Sequence, residues 1–174
     1  FTPLEGLMMG TRSGSVDPGI LLHLLRHGMP ASELADGLEH RSGLLGVSGS
    51  TANARELESR QAGGDDAAFM ALAMFCRRAA AAIAAAATAL PRLDALVFTG
   101  GIGEHSAAIR AAICRRLGVL GVPTADVAAA VSGDAILVRE PVAVLVVHAR
   151  EDVVIARQVA ALIASRKAEP TGGR

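Results

Sequence analysis

The stretch at residues 94–106, with the sequence DALVFTGGIGEHS, constrains the fold more than any other part of this chain. An apolar run typical of a buried strand leads into three closely spaced glycines, and a helical pattern follows. Glycines at such a turn let the backbone approach a ligand, and the amides at the start of the next helix can face an anion. The pattern therefore predicts an α/β fold with a nucleotide-type site at this turn. A turn that only packs a helix against a sheet has the same pattern.

Helical and strand patterns alternate along the 174 residues. The spacing of apolar residues predicts helices over 20–26, 31–40, 53–61, 65–90, 106–117 and 151–165, and strands over 96–98, 135–138 and 142–147. The glycine-rich residues 43–49 are expected to stay outside any helix. Three short strands are too few to cover so many apolar helices, so we expect part of the sheet to be missing from this chain.

Charge and composition narrow the classes of function. Seventeen Lys and Arg residues balance seventeen Asp and Glu residues, so no net charge attracts nucleic acid or an anionic membrane. The sequence has no Trp or Tyr for stacking on bases. Its most apolar stretch, residues 79–90, is shorter than the ~20 residues that span a bilayer, which predicts a core helix. The two cysteines lie in helical patterns, and this fits a reducing cytoplasm.

Three segments, taken together, resemble the acetate kinase (acetokinase) family. They are FTPLEGLMMGTRSG at residues 1–14, GVSG at 46–49 and FTGGIGE at 98–104. The first is long and specific, whereas the glycine turn alone is shared with a superfamily that includes sugar kinases, actin and heat-shock chaperones. The resemblance covers nearly the whole chain and is to the C-terminal half of the family's proteins. It implies an incomplete ribonuclease-H-like, nucleotide-binding domain over residues 1–165 and a frayed polar tail over 166–174.

The resemblance also implies roles for individual residues. Arg12 corresponds to the arginine that stabilises the transition state, where a permanently charged planar fork can bind two phosphoryl oxygens. Glu151 corresponds to the glutamate associated with Mg²⁺ or Mn²⁺, and a carboxylate suits such a hard ion. Two segments correspond to nucleotide-contacting positions of the family: Asn53, Ala54 and Arg55, and Gly101, Ile102, Gly103, Glu104 and His105.

Three positions depart from the family's usual pattern. Asp is usual where Asn53 stands, and Asn is usual where His105 and Arg150 stand. An Asp-to-Asn change keeps a hydrogen-bond acceptor but removes a charge, and a histidine ring has a different reach from an amide. These differences bear on nucleotide selectivity more than on phosphate chemistry.

The family's activity is reversible phosphoryl transfer from ATP to acetate, giving ADP and acetyl phosphate, in a homodimer. The family's acyl-substrate pocket and its amino-terminal phosphate motifs are not found in this sequence, whose first residue is not Met. We therefore expect a piece of a longer enzyme that is inactive alone. Two alternatives are a truncated, non-catalytic nucleotide-binding or dimerisation module, and a propionate or butyrate kinase.

Overall fold

The computed structural model describes residues 2–168 and places a three-stranded sheet beside a group of helices. The strands are β1 (Ala95–Phe98), β2 (Ala135–Val138) and β3 (Ala143–Val146). The α-helices are α1 (Pro18–Arg26), α2 (Ala31–His40), α3 (Gly43–Ser48), α4 (Ala54–Ala62), α5 (Asp66–Ala87), α6 (Gly100–His105), α7 (Ala107–Cys114) and α8 (Glu151–Ala168), and a 3₁₀ turn covers Gly118–Leu120. The predicted α/β class and the small partial sheet are confirmed.

The sheet brings two chain segments to one edge. Its strand order is β1-β3-β2, with β1 parallel and β2 antiparallel to β3. Alternate side chains of the parallel pair are buried, and Leu96 lies opposite Val144 while Phe98 lies opposite Val146. Because β1 and β3 run in the same direction, the glycine turn after β1 lies beside the chain that leaves β3.

Helix α5 forms the centre of the helical layer. The carboxylate of Asp65 caps it by accepting hydrogen bonds from the backbone N–H groups of Ala67 and Ala68. The helix packs against α3, α4 and α7, and its small residues Ala68 and Ala71 are fully buried where these helices approach closely. By length and apolar composition alone it is long enough to cross a bilayer, but a single packed core helix meets the same criterion.

The prediction that residues 43–49 are not helical is wrong, because Gly43–Ser48 forms the short helix α3. Burial outweighs the low helix propensity of glycine here, since Leu44 is fully buried. The start of α3 is also fixed by the N-terminal segment. The backbone N–H of Ser42 donates to the carbonyl of Thr11, and that of Leu44 donates to the carbonyl of Met9.

Helix α8 is present as predicted but does not pack extensively against another described element. Its apolar stripe is accessible: Ile155 and Leu162 are about 60% exposed. The final residues of the predicted polar tail, 169–174, lie outside the described residues.

Candidate functional site

The two segments that resemble nucleotide-contacting positions meet at one cavity of about 260 Å³. One wall comes from the start of α4 and the other from α6 and the residue that follows it. Its lining residues are Asn53, Ala54, Arg55, Glu58, Gly101, Ile102, His105 and Ser106. The fold therefore brings together two regions that are far apart in sequence.

Helix α4 fixes one wall of this cavity. Asn53 is its N-cap, and the side-chain oxygen accepts hydrogen bonds from the backbone N–H of Arg55 at 3.0 Å and of Glu56 at 3.4 Å. Leu57 is fully buried and anchors the helix to the core. This leaves the exposed side chain of Arg55 and the amide nitrogen of Asn53 for contacts with a ligand.

Glu104 does not line this cavity but holds the glycine turn in place. Its side chain is only 8% exposed. Oε1 accepts hydrogen bonds from the backbone N–H groups of Gly100 (2.8 Å) and Ala149 (2.9 Å), and Oε2 lies 2.5 Å from Nδ1 of His148. These hydrogen bonds lower the pKa of Glu104 below its usual value, and the bond from the backbone N–H of Ala149 has the largest effect. The carboxylate thus joins the turn after β1 to the segment after β3.

Gly103 also lies outside the cavity lining. A Cβ atom at this position would meet the side chain and backbone of Phe98 at about 3.5 Å, so the residue packs against the end of β1. Of the five predicted positions in this turn, Gly101, Ile102 and His105 face the cavity. The other two, Gly103 and Glu104, support its shape.

A buried arginine, which the sequence reasoning did not single out, supports the same turn. Arg110 of α7 has no exposed surface and donates hydrogen bonds to the carbonyls of Gly103 (2.9 Å), Glu104 (2.8 Å) and Ala129 (2.5 Å). Burial lowers the pKa of its guanidinium. The sequence does contain a signal for this role, which is an arginine within an apolar helical pattern. Such an arginine is buried only where several hydrogen-bond acceptors surround it.

Arg150, one of the positions that depart from the family pattern, joins an ion pair. Its Nη2 donates to Oδ2 of Asp134 at 2.8 Å, and Oδ1 of Asp134 accepts the backbone N–H of His148, also at 2.8 Å. The His148 N–H and the Arg150 charge lower the pKa of Asp134. This cluster ties the start of β2 to the segment that follows β3.

Arg12 lies next to the start of α3, where its carbonyl approaches Gly43, and it is not among the residues that line the cavity. A Cβ atom at Gly10 would lie 3.2 Å from Cβ of Ala52, so this segment packs beside the residue before Asn53. The side chain of Arg12 is exposed and forms no ion pair with the part of the chain that the structure describes.

Glu151 is the first residue of α8, and its side chain is exposed, as is that of Asp152. Within residues 2–168, no group of three or more His, Cys, Asp or Glu side chains could enclose a metal ion. One or two exposed carboxylates fit an ion such as Mg²⁺, which keeps several waters and takes its other ligands from substrate phosphates. They do not fit an ion held by protein ligands alone.

The parallel strands, the glycine turn and the adjoining cavity define an α/β domain of the actin-like class, which includes acetate and propionate kinases. The model of the acetokinase family matches residues 1–157, and this chain belongs to that family.

Two curated relatives show the extent of the match. The chain is 48% identical over 159 residues to an acetate kinase of a Synechococcus strain, covering 90% of this chain and 40% of the relative. It is 38% identical over 170 residues to an acetate kinase of Carboxydothermus hydrogenoformans, covering 95% and 42%. The chain therefore spans about 40% of the length of these relatives. The matches do not confirm its expected position in the C-terminal half of the longer proteins.

Solved structures agree with this fold. An acetate kinase of Porphyromonas gingivalis superposes with a TM-score of 0.84 at 35% identity, covering 93% of this chain and 42% of that one. A propionate kinase of Francisella tularensis superposes with a TM-score of 0.77 at 34% identity, covering 90% and 41%.

Proposed function

We propose that this chain is the nucleotide-binding part of an acetate kinase, which transfers a phosphoryl group between ATP and acetate. The observation that carries the proposal is the cavity where Asn53–Arg55 and Gly101–His105 meet. The curated relatives, which are named acetate kinases, support the choice of substrate. The nucleoside end of ATP occupies this cavity in the proposal, with Asn53, Ala54, Arg55, Gly101, Ile102 and His105 as contacts.

Arg12 is the proposed catalytic residue. Phosphoryl transfer spreads negative charge over three equatorial oxygens, and a guanidinium that is exposed and free of an ion pair within the described residues can bind two of them. The packing of Gly10, two residues before Arg12, against Ala52 supports this role, because Ala52 immediately precedes the cavity residue Asn53.

Glu151 is the proposed partner of Mg²⁺ or Mn²⁺. When bound, the ion neutralises the charge of the phosphates and helps to orient them. The carboxylate of Glu151 would bind the ion or one of its waters, and the ion pair of Arg150 with Asp134 positions the backbone immediately before it.

We also propose acetate as the acceptor and a homodimer as the assembly, in the cytoplasm and without a nucleic-acid or membrane partner. The exposed side chains of Phe69 and Met70 on α5, each more than half accessible, support the presence of a further protein surface against this helix.

The test is acetyl phosphate formation by the complete protein that contains this chain. Acetate, ATP and Mg²⁺ are supplied, acetyl phosphate is trapped as the hydroxamate, and propionate and butyrate are compared as acceptors. We expect the highest kcat/KM with acetate. A preference for propionate would favour the second candidate, which the structural match to a propionate kinase supports. Nucleotide binding without phosphoryl transfer to any of the three acids would favour the non-catalytic module.

A further inference from the structure

Glu58 is the only acidic side chain among the described residues that line the cavity between α4 and α6. It lies on α4 one turn after Arg55 and is partly buried. It also borders a second cavity of about 180 Å³ between α4, α5 and α7. A carboxylate repels phosphate, so we asked which part of an anionic ligand could lie favourably next to Glu58.

Ser106 holds this carboxylate in one orientation. The hydroxyl of Ser106 donates to Oε1 of Glu58 and accepts the backbone N–H of Ile109 at 3.0 Å. A serine hydroxyl has one proton to donate. Because a lone pair of the Ser106 oxygen faces the N–H of Ile109, the proton points away from Ile109 and towards Glu58. Ser106 is itself only 6% exposed and is fixed as the N-cap of α7. The second oxygen of Glu58, Oε2, has no hydrogen-bond partner among the described side chains, which are those of residues 2–163.

The chemistry of ATP decides what this second oxygen can bind. The triphosphate is anionic and offers only acceptors when fully ionised, whereas the nucleoside carries donors on the ribose hydroxyls and on the adenine amino group. A carboxylate accepts strong hydrogen bonds from such donors. The nucleoside end is therefore the part of ATP that gains from lying next to Glu58.

We propose that Glu58 is a positioning residue that accepts a hydrogen bond from a nucleoside donor and turns the phosphates away from the wall formed by Glu58 and Ser106. The inference rests on the proposed nucleotide site and adds a residue that determines how the nucleotide is oriented. The donor is either a ribose hydroxyl or the amino group of the base. In either case the carboxylate of Glu58 is the hydrogen-bond acceptor.

The test compares Glu58→Gln with Glu56→Gln in the complete protein. Glutamine keeps the size of Glu58 and can still accept from Ser106, but it loses the charge. Glu56 lies on the same helix, is exposed and does not line the cavity, so its variant is the matched control. Circular dichroism melts of both variants check that the fold is retained. Dissociation constants for ATP, 2′-deoxy-ATP, 3′-deoxy-ATP and ITP are measured by calorimetry.

We expect Glu58→Gln to weaken ATP binding about tenfold, which is the order expected for one charge-assisted hydrogen bond, and Glu56→Gln to leave it within about twofold. The loss of affinity caused by Glu58→Gln should vanish for the analogue that lacks the donor. That analogue is one of the deoxy-ATPs if the donor is a ribose hydroxyl, and ITP if the donor is the amino group. Ser106→Ala should weaken ATP binding by a smaller factor because the carboxylate is then free to rotate.

Three results would overturn the proposal. The first is equal affinity of Glu58→Gln and Glu56→Gln for ATP. The second is the same loss of affinity with all four nucleotides, which would mark a purely structural link. The third is absence of ATP binding by the unmodified protein. ATP binding without acetyl phosphate formation would contradict only the proposed function, since the comparison of dissociation constants still tests Glu58.

Discussion

Replacing Gly43 with alanine tests how the segment that carries Arg12 is held against α3. Gly43 has a φ of +63°, in the left-handed region. A Cβ atom at this position would lie 2.2 Å from the carbonyl oxygen of Met9 and 2.8 Å from that of Arg12. Both neighbours are backbone atoms, so neither can move away by a change of rotamer. The substitution should therefore displace the Arg12 segment or the start of α3.

Gly49, at the other end of α3, provides a matched control. Its φ is +64°, but a Cβ atom there would meet nothing within 4 Å. The left-handed conformation costs a non-glycine residue roughly 1–2 kcal/mol, and both variants carry that cost. Overpacking adds roughly 1–3 kcal/mol at Gly43 alone. We expect a loss of about 2–5 kcal/mol in the free energy of unfolding for Gly43→Ala and about 1–2 kcal/mol for Gly49→Ala.

Urea titration followed by far-ultraviolet circular dichroism measures this difference. Intrinsic fluorescence would not report on this part of the protein, because residues 1–174 contain no Trp or Tyr. Equal losses of unfolding free energy in the two variants would contradict this expectation, since they would show that the close contact with Met9 and Arg12 does not resist a methyl group.

Three further predictions concern the site. Arg12→Ala should lower kcat by about 10³-fold or more with little change in the KM for ATP, and a near-normal kcat would remove Arg12 from the catalytic machinery. Glu151→Gln should raise the Mg²⁺ concentration needed for half-maximal activity, whereas an unchanged Mg²⁺ titration would leave the residue a helix-terminal role. The pKa of Glu104 is lowered from 4.5, so its contribution to stability is complete above that value and is lost as the pH falls through its folded pKa. Glu104→Gln should therefore flatten the acid dependence of the unfolding free energy, and an unchanged acid slope would contradict the role of its three hydrogen bonds.

The parts of the fold that depend on local patterns could be predicted from the sequence. The apolar run before Gly100 predicted β1 and the turn, and the alanine-rich stretch predicted α5 to within a few residues at each end. Helix α3 could not be predicted in this way, because it depends on Leu44 being buried and on backbone contacts with residues 9–12. Such contacts join distant segments and leave no periodic signal.

In the candidate site, too, local patterns could be predicted from the sequence and contacts between distant segments could not. The resemblance indicated both nucleotide segments, and the fold places them at one cavity. Local patterns could not tell that Glu104 supports the turn instead of facing the cavity, because its hydrogen bonds come partly from Ala149 and His148. The link between Glu58 and Ser106 was missed for the same reason, since the two residues are 48 positions apart.

Photolabelling of the complete protein with 2-azido-ATP tests most directly whether the cavity between α4 and α6 holds the nucleoside of ATP. After digestion with trypsin, mass spectrometry locates the label. We expect label on the peptides that contain residues 53–55 and 101–105, and loss of that label when excess ATP competes. Label that ATP displaces only from α5 residues such as Phe69 and Leu72, which line the neighbouring cavity, would contradict it.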